Sequence, residues 1–213
     1  MLSLYKQIRH ELEADYNNGL YGAYKFNFFS TINNLYNVHL TDFQLNIFIE
    51  DDMIYDEESK LLIGRAFIPR LLLIVNRYTP DWLISNMDED LSSPYLCRIH
   101  RQVTQLPLRD IYRVYEWSGH FVVPEKEAIV SNLLEEEYSS PIQWYESFVP
   151  LFKKIRPFKH GNNLVLYVLF VRECLKHNYM PPILDGLHFV EINSGNMKKL
   201  LDDATNDIYE LRY

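Results

Sequence analysis

At 213 residues, with 47% hydrophobic and 15% aromatic content, the chain is long enough for one domain around one sizeable core and is not a disordered polymer. Its net charge of −8 argues against a nucleic-acid binder, which would carry a basic face. The longest apolar runs, 71–75 and 164–171, fall far short of the roughly 18–20 residues that cross a bilayer, so no membrane partner is expected.

The two cysteines, Cys97 and Cys174, lie in apolar, helix-like settings without CxxC spacing. They read as reduced, buried thiols of a cytoplasmic protein, with no disulfide and no zinc site. Lys6, Arg9, Glu11 and Glu13 interrupt the start of the chain too early for a secretory apolar segment.

Along the chain, Leu4, Ile8, Leu12 and Tyr16 repeat at helical spacing and predict an amphipathic helix over 2–16, broken by Asn17-Asn18-Gly19. Residues 21–33 are aromatic-rich, with Tyr24, Phe28, Phe29 and Ile32 near helical spacing. A loop is expected over 34–40, and Thr41 with Asp42 makes a good N-cap for a helix over 43–55. The acidic stretch 51–60 reads as a loop or a solvated face. Leu71, Ile74, Val75 and Tyr78 form a further helical face, with Pro69 suited to an early helical position. Ser92 or Ser93 is placed to cap a helix whose apolar stripe is Tyr95, Leu96, Ile99, Val103 and Leu106. His100, on the same helix, reads as structural.

Residues 111–124 are β-branched and aromatic, in two short alternating runs around Ser118-Gly119. That pattern predicts a β-hairpin, the one strand pair expected in the chain. Residues 125–138 read as a helix with Ala128, Ile129, Asn132 and Leu133 on one face. Glu135, Glu136 and Glu137 at its end oppose the helix dipole. Ser140-Pro141 opens the next helix, where Trp144, Phe148, Leu151 and Phe152 recur at i, i+4, i+7 and i+8.

That helix runs into Ile155-Arg156-Pro157-Phe158-Lys159-His160-Gly161-Asn162-Asn163-Leu164, around which the chain is organised. Pro157 stops what precedes it. Gly161 permits positive φ, and asparagine is the non-glycine type that best tolerates the left-handed region, so Gly161, Asn162 and Asn163 predict a tight turn. Residues 164–171 are apolar on every side, which predicts a core helix. Free N–H groups at the N-terminus of such a helix make a ready anion or phosphate site, although an ordinary turn before a core helix would read the same way. Beyond it, Lys176-His177-Asn178 closes that helix, Pro181-Pro182 breaks the chain, and Asn193 or Ser194 caps a last helix carrying Met197, Leu200, Leu201, Ala204, Ile208 and Leu211.

The stretch resembles the signature of the Fic (Fido) family, His-Pro-Phe-x-Asp/Glu-Gly-Asn-Gly-Arg with a second Arg three positions on. Pro157, Phe158, Gly161 and Asn162 match. Arg156 stands at the catalytic His, His160 at the metal-binding acid, Asn163 at the second Gly, Leu164 at the first Arg and Tyr167 at the second. Two further segments are similar to family landmarks, in the family's order. Ser30, Ile32, Asn34, Leu40 and Thr41 fit an N-terminal inhibitory segment, in which Asn33 replaces the inhibitory Glu. Tyr112 and Arg113, then Phe121, Val122, Val123 and Pro124, fit the hairpin flap that docks the target peptide in the family.

The resemblance implies a mainly α, Fic-like single domain over 1–213 with one short β-hairpin flap, a signature-bearing core over about 91–211 and an inhibitory-type region over about 1–60. It implies a relative of protein adenylyltransferases, which move AMP from ATP to protein hydroxyls. The substitutions imply that this relative is inactive or strongly impaired. Arg156 stays protonated and cannot serve as a base, though it can pair with phosphate. His160 is a poor Mg²⁺ ligand, since Mg²⁺ takes hard oxygens, although a neutral imidazole could serve as a displaced base. Leu164 and Tyr167 supply no cation. Losing a base, a metal ligand and a clamp costs roughly 10²–10⁴ in rate for each.

The expected anion or nucleotide site is Gly161, Asn162, Asn163 and Arg156, with no metal held by the protein and ATP with Mg²⁺ only if activity remains. The expected partner is a protein docked at the flap. The location is the cytoplasm, or a host cytosol if the protein is delivered as an effector. Two other readings stay open: a transferase of altered chemistry, moving another nucleotide- or sugar-derived group onto protein, and an unrelated helical interaction domain.

Overall fold

Four helix starts are set locally by short polar side chains, as the sequence predicts. The Ser140 hydroxyl accepts from the Gln143 N–H at 3.1 Å, with Pro141 in the first turn behind it. Thr41 and Gln44 form a reciprocal capping box, in which the Gln44 N–H donates to Thr41 Oγ1 and the Thr41 N–H donates to Gln44 Oε1. Ser92 caps one helix through the Tyr95 N–H, and Asn193 caps another through the Asn196 N–H.

The computed structural model describes residues 2–51, 73, 76–104, 124–185, 189 and 191–210. Among them run nine helices and no strand: α1 Leu4–Glu13, α2 Leu20–Leu35, α3 Asp42–Asp51, α4 Thr79–Ser85, α5 Ser93–Thr104, α6 Pro124–Leu134, α7 Pro141–Ile155, α8 Asn162–Lys176 and α9 Ser194–Glu210. The protein is mainly α in these residues. The expected hairpin lies outside them except for Pro124, which opens α6. No helix among the described residues is long and apolar enough to cross a membrane.

Helix α8 is the axis of the fold. Every residue from Leu164 to Leu175 is buried, as a helix apolar on all sides requires. It packs against α1, α5 and α7, and α2 reaches it through Phe28, whose ring lies 5.4 Å from that of Tyr167. Phe170 meets Trp144, Tyr145 and Phe189, so aromatic side chains fill the space between α7, α8 and the approach to α9. Even the charged end of α8 is buried and paired: Arg172 donates to the carbonyls of Met87 and Glu89, and Glu173 pairs with His177 at 2.8 Å.

Three expectations need correction. Asn162 and Asn163 are not part of a left-handed turn but form the first turn of α8; the left-handed residues are Arg156 (φ 47°) and Gly161 (φ 74°). On α6 the inward face is Val130, Leu133 and Leu134, while Ala128, Ile129 and Asn132 face solvent. On α7, Leu151 is exposed although its neighbours Phe148 and Phe152 are buried. Cys174 is buried as expected, and Cys97 is only partly so; burial pushes both thiols up, Cys97 to about 11, which makes both poor nucleophiles.

Candidate functional site

Residues 156–161 connect α7 to α8 and are held from three directions. From within, the Asn162 side chain clamps Phe158: its Oδ1 accepts from the Phe158 N–H at 3.0 Å and its Nδ2 donates to the Phe158 carbonyl at 2.6 Å. From α5, the buried His100 stacks on the Phe158 ring at 3.9 Å between centroids and 13° between planes. Its Nε2 lies 3.0 Å from the His160 carbonyl, a contact in which the imidazole is the donor. From α6, Lys126 Nζ donates to the Arg156 carbonyl at 2.9 Å. This bond satisfies a carbonyl at the end of α7 and places a cation at the negative end of its dipole.

Gly161 is required where it stands. A Cβ there would lie 2.5 Å from Thr104 Cγ2, and the φ of 74° is one that L side chains rarely adopt. Gly161 is also the N-cap of α8 and has no side chain to offer, so no side chain caps α8. The first N–H groups of a helix have no intrahelical partner, and here the residues that open α8 line a basin of about 560 Å³.

Lys153, Arg156, Lys159 and His160 line that basin together with Tyr36 and the start of α8. Three permanent cations and an imidazole thus meet a helix N-terminus, and no carboxylate among the described residues lines the same space. Lys153 has one loose ion pair, 4.0 Å to the exposed Glu191. In a chain of net charge −8 this is a local inversion of sign. Such a concavity attracts anions, because the cations and the helix dipole act in the same sense.

The sequence-predicted residues separate into three groups. Arg156, His160, Gly161, Asn162 and Asn163 do line one basin. The Asn162 side-chain amide, however, is spent on Phe158, so its position rather than its amide is what the site uses. Leu164 and Tyr167 are buried in the core and do not line the basin. The Tyr167 hydroxyl sits under α2, 3.4 Å from the Phe28 carbonyl and in hydrogen-bond contact with Thr31.

The inhibitory-type residues also have structural partners. Asn33 Nδ2 donates to the Leu40 carbonyl at 3.1 Å, and its Oδ1 accepts from the Leu40 N–H at 2.9 Å. Asn33 therefore closes the α2–α3 loop. Asn34 donates to the Leu184 carbonyl at 3.1 Å, tying α2 to the segment after α8. Ser30 is buried in α2, and its hydroxyl has no partner among the described residues. Tyr112, Arg113, Phe121 and Val122 lie outside the described residues.

Sequence reasoning missed Lys153, Lys159 and Tyr36 as basin residues, and Thr104 and Lys126 as supports. A signal for the first two was present: Lys153, Lys154, Arg156, Lys159 and His160 form a basic cluster within an acidic chain. Tyr36 and Thr104 arrive from distant segments and leave no such trace. No protein-family model matches the chain, nor does any curated protein or any solved structure.

Proposed function

We propose that this protein binds a phosphate-bearing ligand, with a nucleotide as the expected class, in the basin at the start of α8, and that it acts by binding rather than by group transfer. The observation that carries this reading is the convergence of Lys153, Arg156 and Lys159 on an uncapped helix N-terminus, in a chain otherwise dominated by acids. A second support is strain. Arg156 occupies the left-handed region immediately before a proline, where a glycine would sit at less cost.

The reading keeps the Fic-like resemblance as a proposal. Phe158, Gly161 and Asn162 have structural tasks in this loop, while the position of the family's base is taken by a guanidinium. Thr104 on α5 and Lys126 on α6 both touch the loop.

Calorimetric titration with pyrophosphate, ADP and ATP, with and without Mg²⁺, tests the proposal. Binding in the micromolar range is expected, weakened roughly tenfold by Lys159→Ala or Arg156→Ala and weakened by added salt. No label should transfer from ATP to the protein or to proteins of a lysate. Equal affinity in wild type and both variants would refute the site, and transfer abolished by His160→Ala would refute the non-catalytic assignment.

A further inference from the structure

The two exceptions to burial on α6 and α7 lie in one place. Ile129 on α6 is 53% exposed and Leu151 on α7 is 47% exposed, although Val130, Leu133, Leu134, Trp144, Phe148 and Phe152 of the same helices are buried. Both side chains line a groove of about 630 Å³ between the two helices, with Leu133 and Ile155 completing its apolar surface. Two large apolar side chains that share one concave surface are grouped rather than scattered singly over the surface.

The charges along the groove are ordered. Lys126 at the start of α6 reaches the Arg156 carbonyl just past the end of α7, so the two helices run antiparallel. One end of the groove therefore carries Lys126 and Lys154, and the other carries Glu136, flanked in sequence by Glu135 and Glu137. Lys154 has no ion-pair partner among the described residues. The three acids oppose the dipole of α6, so they do not serve that helix.

We infer that this groove is the interface of a symmetric homodimer. A two-fold interface must be complementary to itself. A surface positive at one end, apolar in the middle and negative at the other meets that condition when two copies cross antiparallel. Lys154 then meets the partner's Glu136 at both ends, and the exposed Ile129 and Leu151 side chains pack at the centre. A partner of uniform charge would meet like charge at one end of the groove, which disfavours it. This inference does not depend on the anion basin.

The test is sedimentation velocity and light scattering on the full chain, across concentrations up to the order of 100 µM. A dimer is expected. Ile129→Glu and Leu151→Glu should each raise the dissociation constant by at least roughly tenfold, with helical circular dichroism unchanged. Lys154→Glu should weaken the dimer as well, and combining it with Glu136→Lys should restore it. The charge-swapped protein keeps the test valid if an apolar-to-acid variant misfolds. A wild type that stays monomeric across the range overturns the inference, whatever else covers the groove. So does a dimer that neither Leu151→Glu nor the single charge reversal affects.

Discussion

Arg156 holds a left-handed backbone, which costs a non-glycine residue about 1–2 kcal/mol. Its carbonyl is used by Lys126, but a glycine would offer the same carbonyl. What only the arginine supplies is the guanidinium at the rim of the basin. Arg156→Gly is therefore expected to leave the protein folded and to raise its stability by about 1 kcal/mol while weakening anion binding. Chemical denaturation beside calorimetry checks this. A loss of stability would show that Arg156 is there for structure. Asn162 is the opposite case: the residue most suggestive of a ligand in the sequence spends its side chain inward, on both backbone groups of Phe158.

At the scale of elements, the 156–161 loop is a device for delivering one helix end to a concave surface. His100 and Thr104 support it from α5, Lys126 from α6 and Asn162 from α8. Gly161 is the point of least tolerance, because both φ and the Thr104 methyl group exclude a side chain. Gly161→Ala is expected to cost about 2 kcal/mol or more in equilibrium unfolding, with partial recovery in Gly161→Ala combined with Thr104→Ala. Full stability in the single variant would mean that the loop relaxes freely. Amphipathic spacing located α6 and α7, yet it grouped Ile129 and Leu151 with side chains that the structure buries. A stripe of apolar side chains on a helix records which face could be buried. How much of the stripe is covered depends on how far the neighbouring helix extends across it.

At the scale of the whole molecule, the core is rich in tyrosine. Burial pushes the Tyr24 and Tyr167 hydroxyls well above the usual phenol range and Tyr145 up to about 12. The sign follows from proton linkage. Above pH 10 or so the unfolded chain releases phenolic protons that the native state keeps, so stability falls as pH rises beyond that value and is unaffected by these groups below it. Ultraviolet phenolate titration followed together with circular dichroism should show the buried tyrosines ionising only as helix is lost. Complete titration in a chain that is still helical would contradict this packing.

The sequence alone determined the mainly helical class, the capped helix starts at Thr41, Ser92, Ser140 and Asn193, the buried α8 and the loop that precedes it. Those properties depend on nearest neighbours: a capping hydroxyl, a proline, a glycine, an unbroken apolar run. Only the tertiary structure decided that Leu164 and Tyr167 belong to the core, that Asn33 closes a loop, and that Lys153, Lys159 and Tyr36 meet at one basin. These depend on which helix lies opposite and at what angle. That outcome comes from packing the whole set of side chains at once, and no local pattern records it.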